Sequence, residues 1–210
     1  MKFTCKEIMF LTSVSRGRVP FGVKCPMPPK EEEKSYIEET ISSLRKKNLL
    51  DDNQKLTKEG AEVIYLWEQY RNCKKHIRLN HVNAAVLPGN TLITVIETEE
   101  GYEVGCIRRD LFMLELLKHH DYLCMGEEKA ERGKWQNIEE KEWKELLSEI
   151  DGCILLYEYE CGRMLSEKVY FWKGEQGYLF HKTRGRIRTL SPVIMKKQIY
   201  RILGEEANGE

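Results

Sequence analysis

Apolar positions in the first 80 residues recur at the spacing of a helix face, whereas after Pro88-Gly89 they alternate or run together as strands do. Thr4 stands ahead of Ile8 and Leu11, and Glu7 follows it by three residues. That is a capping-box arrangement, so a helix is expected from Thr4 to about Val14. Gly17, Pro20, Gly22, Pro26, Pro28 and Pro29 then make a loop. Tyr36, Ile37, Ile41 and Leu44 put an apolar stripe on a helix over 31–47, which Asn48 ends. After a polar turn at 51–55, Thr57 caps a long helix running through Val63, Ile64, Trp67 and Tyr70 to about Arg78. Three helices with a small wing between the second and third give a winged-helix-like region over 1–80.

Beyond Pro88 the chain repeats itself. Residues 90–119 read as a strand (Leu92–Ile96), the turn Glu99-Glu100-Gly101, a strand (Tyr102–Ile107) and a helix opening at Asp110. Residues 165–203 read as a strand (Val169–Trp172), the turn Glu175-Gln176-Gly177, a strand (Tyr178–His181) and a helix opening at Ser191-Pro192 and ending at Gly204. A hairpin with one helix cannot bury its apolar face alone, so two copies invite one shared sheet. Between them, 126–142 reads as a polar connector, Glu139–Glu149 as a short helix, and Cys153–Glu160 as a central strand. The expected fold class is α+β, with a mainly antiparallel sheet over 81–210 integrated with the helical region.

Composition narrows the function more by exclusion than by signal. The net charge is zero, but residues 97–160 are acidic and the flanks mildly basic, a weaker basic bias than nucleic-acid binders carry. The helix over 31–47 begins Glu31-Glu32-Glu33, which would repel phosphate. No apolar run approaches the roughly 20 residues of a membrane span. The N-terminus lacks the apolar segment of a secretory signal, so a cytoplasmic chain is expected. Seven scattered cysteines without a C-x-x-C pair are expected to be buried structural thiols, not a disulfide framework. The adjacent His119 and His120 diverge on a helix and do not make a metal site, and His76 and His81 lack a third ligand. There is no nucleophile elbow, P-loop or dinucleotide fingerprint, so neither catalytic residues nor a cofactor or metal is expected.

The second copy offers a binding surface instead. If Tyr157, Tyr159, Tyr170 and Trp172 share one sheet face, they lie beside Arg163, Arg184, Arg186 and Arg188 with the composition of an interface centre and rim. Met164 and Leu165 fall in the segment Gly162–Glu167, read as the loop that joins two strands.

Phe3, Thr4 and Glu7, then Leu44, Leu49, Leu50, Leu56, Thr57 and Gly60, then two strand–turn–strand–helix copies give an order that resembles the EspG-like chaperones of type VII (ESX) secretion, particularly their Firmicutes relatives. The resemblance implies a quasi-two-fold fold. It also implies a cytoplasmic role in holding a helical secretion substrate before export, gripped in part by a loop between sheet strands. Here that loop would be Gly162–Glu167, and the expected partner-binding residues are Tyr157, Tyr159, Arg163, Met164, Leu165, Tyr170 and Trp172. The alternative expectation is a winged-helix DNA-binding regulator with an α/β sensing domain.

Overall fold

The computed structural model describes residues 1–15, 17–25, 33–125 and 132–204. Ten strands form one antiparallel sheet in the order β1 (Lys2–Phe3), β5 (Gly101–Arg108), β4 (Thr91–Thr98), β3 (Val82–Leu87), β2 (Lys75–Leu79), β7 (Gly152–Glu160), β8 (Arg163–Lys173), β9 (Gln176–His181), β10 (Arg186–Leu190) and β6 (Gln136–Asn137). Six α-helices among the described residues cover it: α1 (Cys5–Val14), α2 (Glu33–Lys46), α3 (Lys58–Asn72), α4 (Arg109–His119), α5 (Glu140–Leu147) and α6 (Pro192–Ile202). The fold is α+β with a mainly antiparallel sheet.

The sheet is two four-stranded meanders, β2–β5 followed by α4 and β7–β10 followed by α6, joined edge to edge. Along the joint, β2 pairs with β7 from Lys75↔Glu160 to Leu79↔Leu156. The antiparallel pairing there relates the two halves by an approximate two-fold. One face carries a core shared by both halves. Ile77, Leu79, Leu92, Ile154, Leu156, Tyr170 and Leu179 lie under Phe112 and Met113 of α4 and Ile194, Met195 and Ile199 of α6. The opposite face carries two separate cores. Helices α1–α3 pack on β3, β4 and β5 through Leu11, Leu44, Trp67, Ile93 and Val95, while α5 packs on β8–β10 through Trp143, Phe171, Phe180 and Ile187.

The expected caps form. Thr4 caps α1 reciprocally with Glu7, Thr57 caps α3, and Ser191 with Pro192 starts α6. Glu7 does more than cap. Its carboxylate is fully buried and accepts from Thr4 N–H at 2.7 Å, Ser43 Oγ at 2.8 Å and Lys47 Nζ at 2.6 Å, tying α1 to α2. Gly60 is needed for close approach, since a Cβ there would stand 2.1 Å from the Leu49 carbonyl oxygen. The wing between α2 and α3 is a single bridge, Leu50↔Leu56.

Several expectations are corrected. The third helix ends at Asn72, not Arg78, and the chain enters the sheet at Lys75, so a boundary at residue 80 would cut the β2–β3 hairpin. Residues 163–167 belong to strand β8, and the loop before them is the two-residue turn Cys161–Gly162. The second copy has one more strand than expected, β10, so the structural repeat is a four-stranded meander. In that repeat, hairpin β4–β5 corresponds to β9–β10, not to β8–β9. The recurring turn sequences are also out of step. Gly101 pairs with Thr98 directly after its turn, at φ 143°, whereas Gly177 sits one residue farther from its turn, opposite Trp172. The first part of the predicted connector, residues 126–131, lies outside the described residues, as does the segment 26–32. All seven cysteines are free and none is fully buried; Cys106 lies on β5 beyond its short pairing with β1, Cys124 ends the turn after α4 and Cys161 sits in the β7–β8 turn, and all three are exposed.

Two stability predictions follow from these contacts. Glu7→Gln should lower unfolding stability by roughly 2 kcal/mol in urea titration, because the buried charge facing Lys47 is lost and one of the two accepting oxygens becomes an NH2 donor. Cys161, at φ 48° ahead of Gly162, occupies a left-handed turn position that Asn tolerates better. Cys161→Asn should therefore raise unfolding stability, read from the urea midpoint, by about a few tenths to 1 kcal/mol.

Candidate functional site

The face that bears α1–α3 and α5 leaves the middle of the sheet uncovered between its two cores. Strand β7 lies at the centre of the sheet, a place where side chains are usually buried on both faces. Even so, Leu155 is 37% exposed, and Tyr157 and Tyr159 are half-buried. Cross-strand register builds the floor of this trough in rows. One row runs Val95, Asn83, Arg78, Tyr157 and Glu167, and the next runs Ile93, Ala85, His76, Tyr159 and Met164. Each row begins under α1–α3 and emerges toward the β7–β8 hairpin. At the hairpin end Met164 is 53% and Leu165 60% exposed, beside the exposed Arg163.

The trough wall comes from the loop before α2. Phe21 packs on Tyr159 at 4.6 Å and on His76 at 4.9 Å between ring centroids, and Tyr70 O–H donates to the Phe21 carbonyl at 2.9 Å. On the floor, Lys182 and Glu167 form an ion pair at 2.9 Å. Burial, and then the Glu167 charge and hydrogen bond, push the Tyr157 hydroxyl pKa up, so it stays protonated and can donate. His76 is buried, with Nε2 2.8 Å from the Tyr70 carbonyl, which makes that nitrogen the protonated donor. Burial holds its pKa below the usual histidine value, partly offset by that hydrogen bond.

The seven expected partner-binding residues divide between two faces. Tyr157, Tyr159 and Met164 lie on the trough face, while at the hairpin end Leu165 is the bulged residue and Arg163 pairs with Glu160 on the opposite face, both exposed. Tyr170 and Trp172 point the other way and are only 1% and 9% exposed. Tyr170 donates to Gln198 of α6 at 3.4 Å, and Trp172 stacks on Tyr122 at 5.1 Å. The cause is a β-bulge. Glu158 pairs with Ser166 but Tyr159 pairs with Met164, so Leu165 has no opposite number. Without the extra residue the hairpin would place all four aromatics on one face, as expected from the sequence; with it, β8 beyond the bulge is turned over. Arg184 is exposed beyond β9, and Arg186 and Arg188 fall on the α4/α6 face, where Arg188 lies over the Trp135 ring at 4.4 Å. They do not rim the trough. Sequence reading missed Phe21, His76, Arg78 and Leu155. Alternation along 75–79 signals the strand that carries two of them, but nothing in the Pro/Gly loop marks Phe21.

The platform and its open trough define an α+β protein whose distinctive surface is a partly apolar groove over a central sheet joint. Residues 1–205 match the family described as Domain of unknown function (DUF5081), and the chain belongs to that family. No curated protein matches it. Among the described residues no helix is long and apolar enough to cross a membrane, and no group of three or more His, Cys, Asp or Glu could hold a metal ion.

The depressed His76 pKa fixes a sign for pH dependence. A histidine harder to protonate folded than unfolded contributes stability above its unfolded pKa, and loses it as pH falls toward the folded value. His120 and His181 are shifted in the same direction, each chiefly by burial. The melting temperature should therefore fall between pH 7.5 and 5, and His76→Gln should flatten that decline when melting curves are compared across the range.

Proposed function

We propose that the protein is a cytoplasmic, non-catalytic chaperone or adaptor that holds an amphipathic helix of a secretion substrate in the trough, and releases it at the export machinery. The observation that carries this reading is the exposed apolar track Leu155–Tyr157–Tyr159–Met164–Leu165 across the middle of the sheet. An apolar patch on a folded surface, with charged residues at its margins, is the usual mark of a partner site. A helix laid in a groove buries its apolar stripe and leaves its polar face in water. Here Arg78 and the Glu167–Lys182 pair would border the stripe. The resemblance to EspG-like chaperones supports the same reading, since it also implies a quasi-two-fold platform and a grip at a strand-to-strand connection.

The regulator reading draws little support. Helix α3 turns Glu59 and Glu62 outward, α2 turns Glu38 and Glu39 outward, and Lys47 is engaged by Glu7 and the Lys2 carbonyl.

Co-expression with helical secretion substrates encoded beside this chain tests the reading. A one-to-one complex is expected, and Met164→Glu should weaken it at least tenfold in titration calorimetry while leaving the melting temperature unchanged. Unchanged affinity in that variant would remove the hairpin from the site. Salt-sensitive duplex binding lost on changing Lys46 would replace the chaperone with the regulator.

A further inference from the structure

Cys5 and Cys25 are separated in sequence by the Pro/Gly loop and brought side by side by the fold. Cys5 Sγ donates to the carbonyl of Lys24 at 3.7 Å, and the next residue, Cys25, packs with Cys5 on the same N-terminal core, close enough for the two thiols to interact electrostatically. The loop that delivers Cys25 is fixed from two directions. Lys24 N–H donates to the Tyr102 hydroxyl at 2.8 Å, that hydroxyl donates to the Lys24 carbonyl at 3.3 Å, and Tyr70 holds the Phe21 carbonyl. Neither thiol is fully buried. Cys5 also lines an open cleft of about 410 Å³ with Lys6, Lys24 and the β4–β5 turn, wide enough to admit a small-molecule disulfide.

We propose that Cys5 and Cys25 form a reversible redox clamp, closed by exchange with a low-molecular-weight disulfide that enters this cleft. In the first step the Cys5 thiolate attacks one sulfur of R–S–S–R. A Cys5–S–S–R bond forms, the R–S–S–R bond breaks, and the departing RS⁻ takes up a proton. In the second step Cys25 gives its proton to water and attacks Cys5 Sγ, forming the intramolecular disulfide and expelling the second RS⁻, which is protonated in turn. The protein loses two protons and two electrons, and one R–S–S–R becomes two R–SH. Burial, and then the adjacent Cys5, push the Cys25 thiol up to about 12, so Cys25 is the poorer first nucleophile and attacks only once the mixed disulfide on Cys5 stands beside it. Closure ties the first turn of α1 to the loop whose Phe21 walls the trough. The clamp stands whether or not the trough holds a helix, because it needs no partner.

The test uses the whole protein, incubated with oxidised glutathione in native buffer, alkylated and digested with trypsin without reduction. The expected product joins peptides 3–6 and 25–30 through a disulfide, is accompanied by a higher melting temperature, and disappears with dithiothreitol. Cys25→Ser should instead trap glutathione on Cys5. Absence of the 3–6/25–30 product while circular dichroism shows an intact fold would overturn the proposal, as would a link that forms only in urea.

Discussion

The β2–β7 joint is the contact on which the rest of the architecture depends. Each meander is built from neighbouring strands and could form locally, but each would present a bare edge strand and half of a core. Pairing Lys75–Leu79 with Leu156–Glu160 converts two half-sheets into a platform and brings Ile77, Leu79, Ile154 and Leu156 into one layer under α4 and α6. Asn80 reinforces it from the turn. Its backbone N–H donates to the Leu155 carbonyl at 2.9 Å, and its side-chain oxygen accepts from Leu155 N–H at 2.9 Å. A hairpin turn thereby stitches one half to the other.

The trough is the geometric remainder of that joint. On one face α4 and α6 meet over the seam and share a core. On the other, the N-terminal helices are anchored outward through Glu7, Lys47 and the β3–β5 strands, and α5 sits over β8–β10. Helix α3 reaches the joint only through Tyr70 against His76, and the α5 core takes in only Cys153 of β7, so Leu155, Tyr157 and Tyr159 stay partly in water. The fold thus builds a groove from the positions with the most rigid backbone support, and a groove on strands holds its shape better than one on loops.

Much of this was legible where local chemistry decides local structure. Thr4 with Glu7, Thr57, and Ser191 with Pro192 announce helix starts because the orphan N–H groups of a first turn need a partner close in sequence. The hairpin β4–β5 was legible from an apolar run and a Gly-bearing turn. What failed depends on distant partners. Residues 75–79 follow a helix and continue its apolar spacing through Ile77, and the strand β7 that claims them lies far along the chain. The trough residues were half legible. Alternation groups Tyr157 with Tyr159 and Tyr170 with Trp172, but which pair shares a face is a matter of register between strands, and no single strand carries that information.

The extra residue at Leu165 also makes the length of this hairpin a matter of odd and even. Beyond it, Val169 and Phe171 meet α5 while Tyr170 and Trp172 meet α6 and Tyr122. Removing or adding one residue between Cys161 and Lys168 would exchange those two sets, driving hydroxyl and indole groups into one core and stranding aliphatic carbons in the other. A change of two residues would preserve the assignment. In related chains, insertions and deletions at this turn should accordingly come in pairs, so gap lengths here record a constraint that residue identities do not.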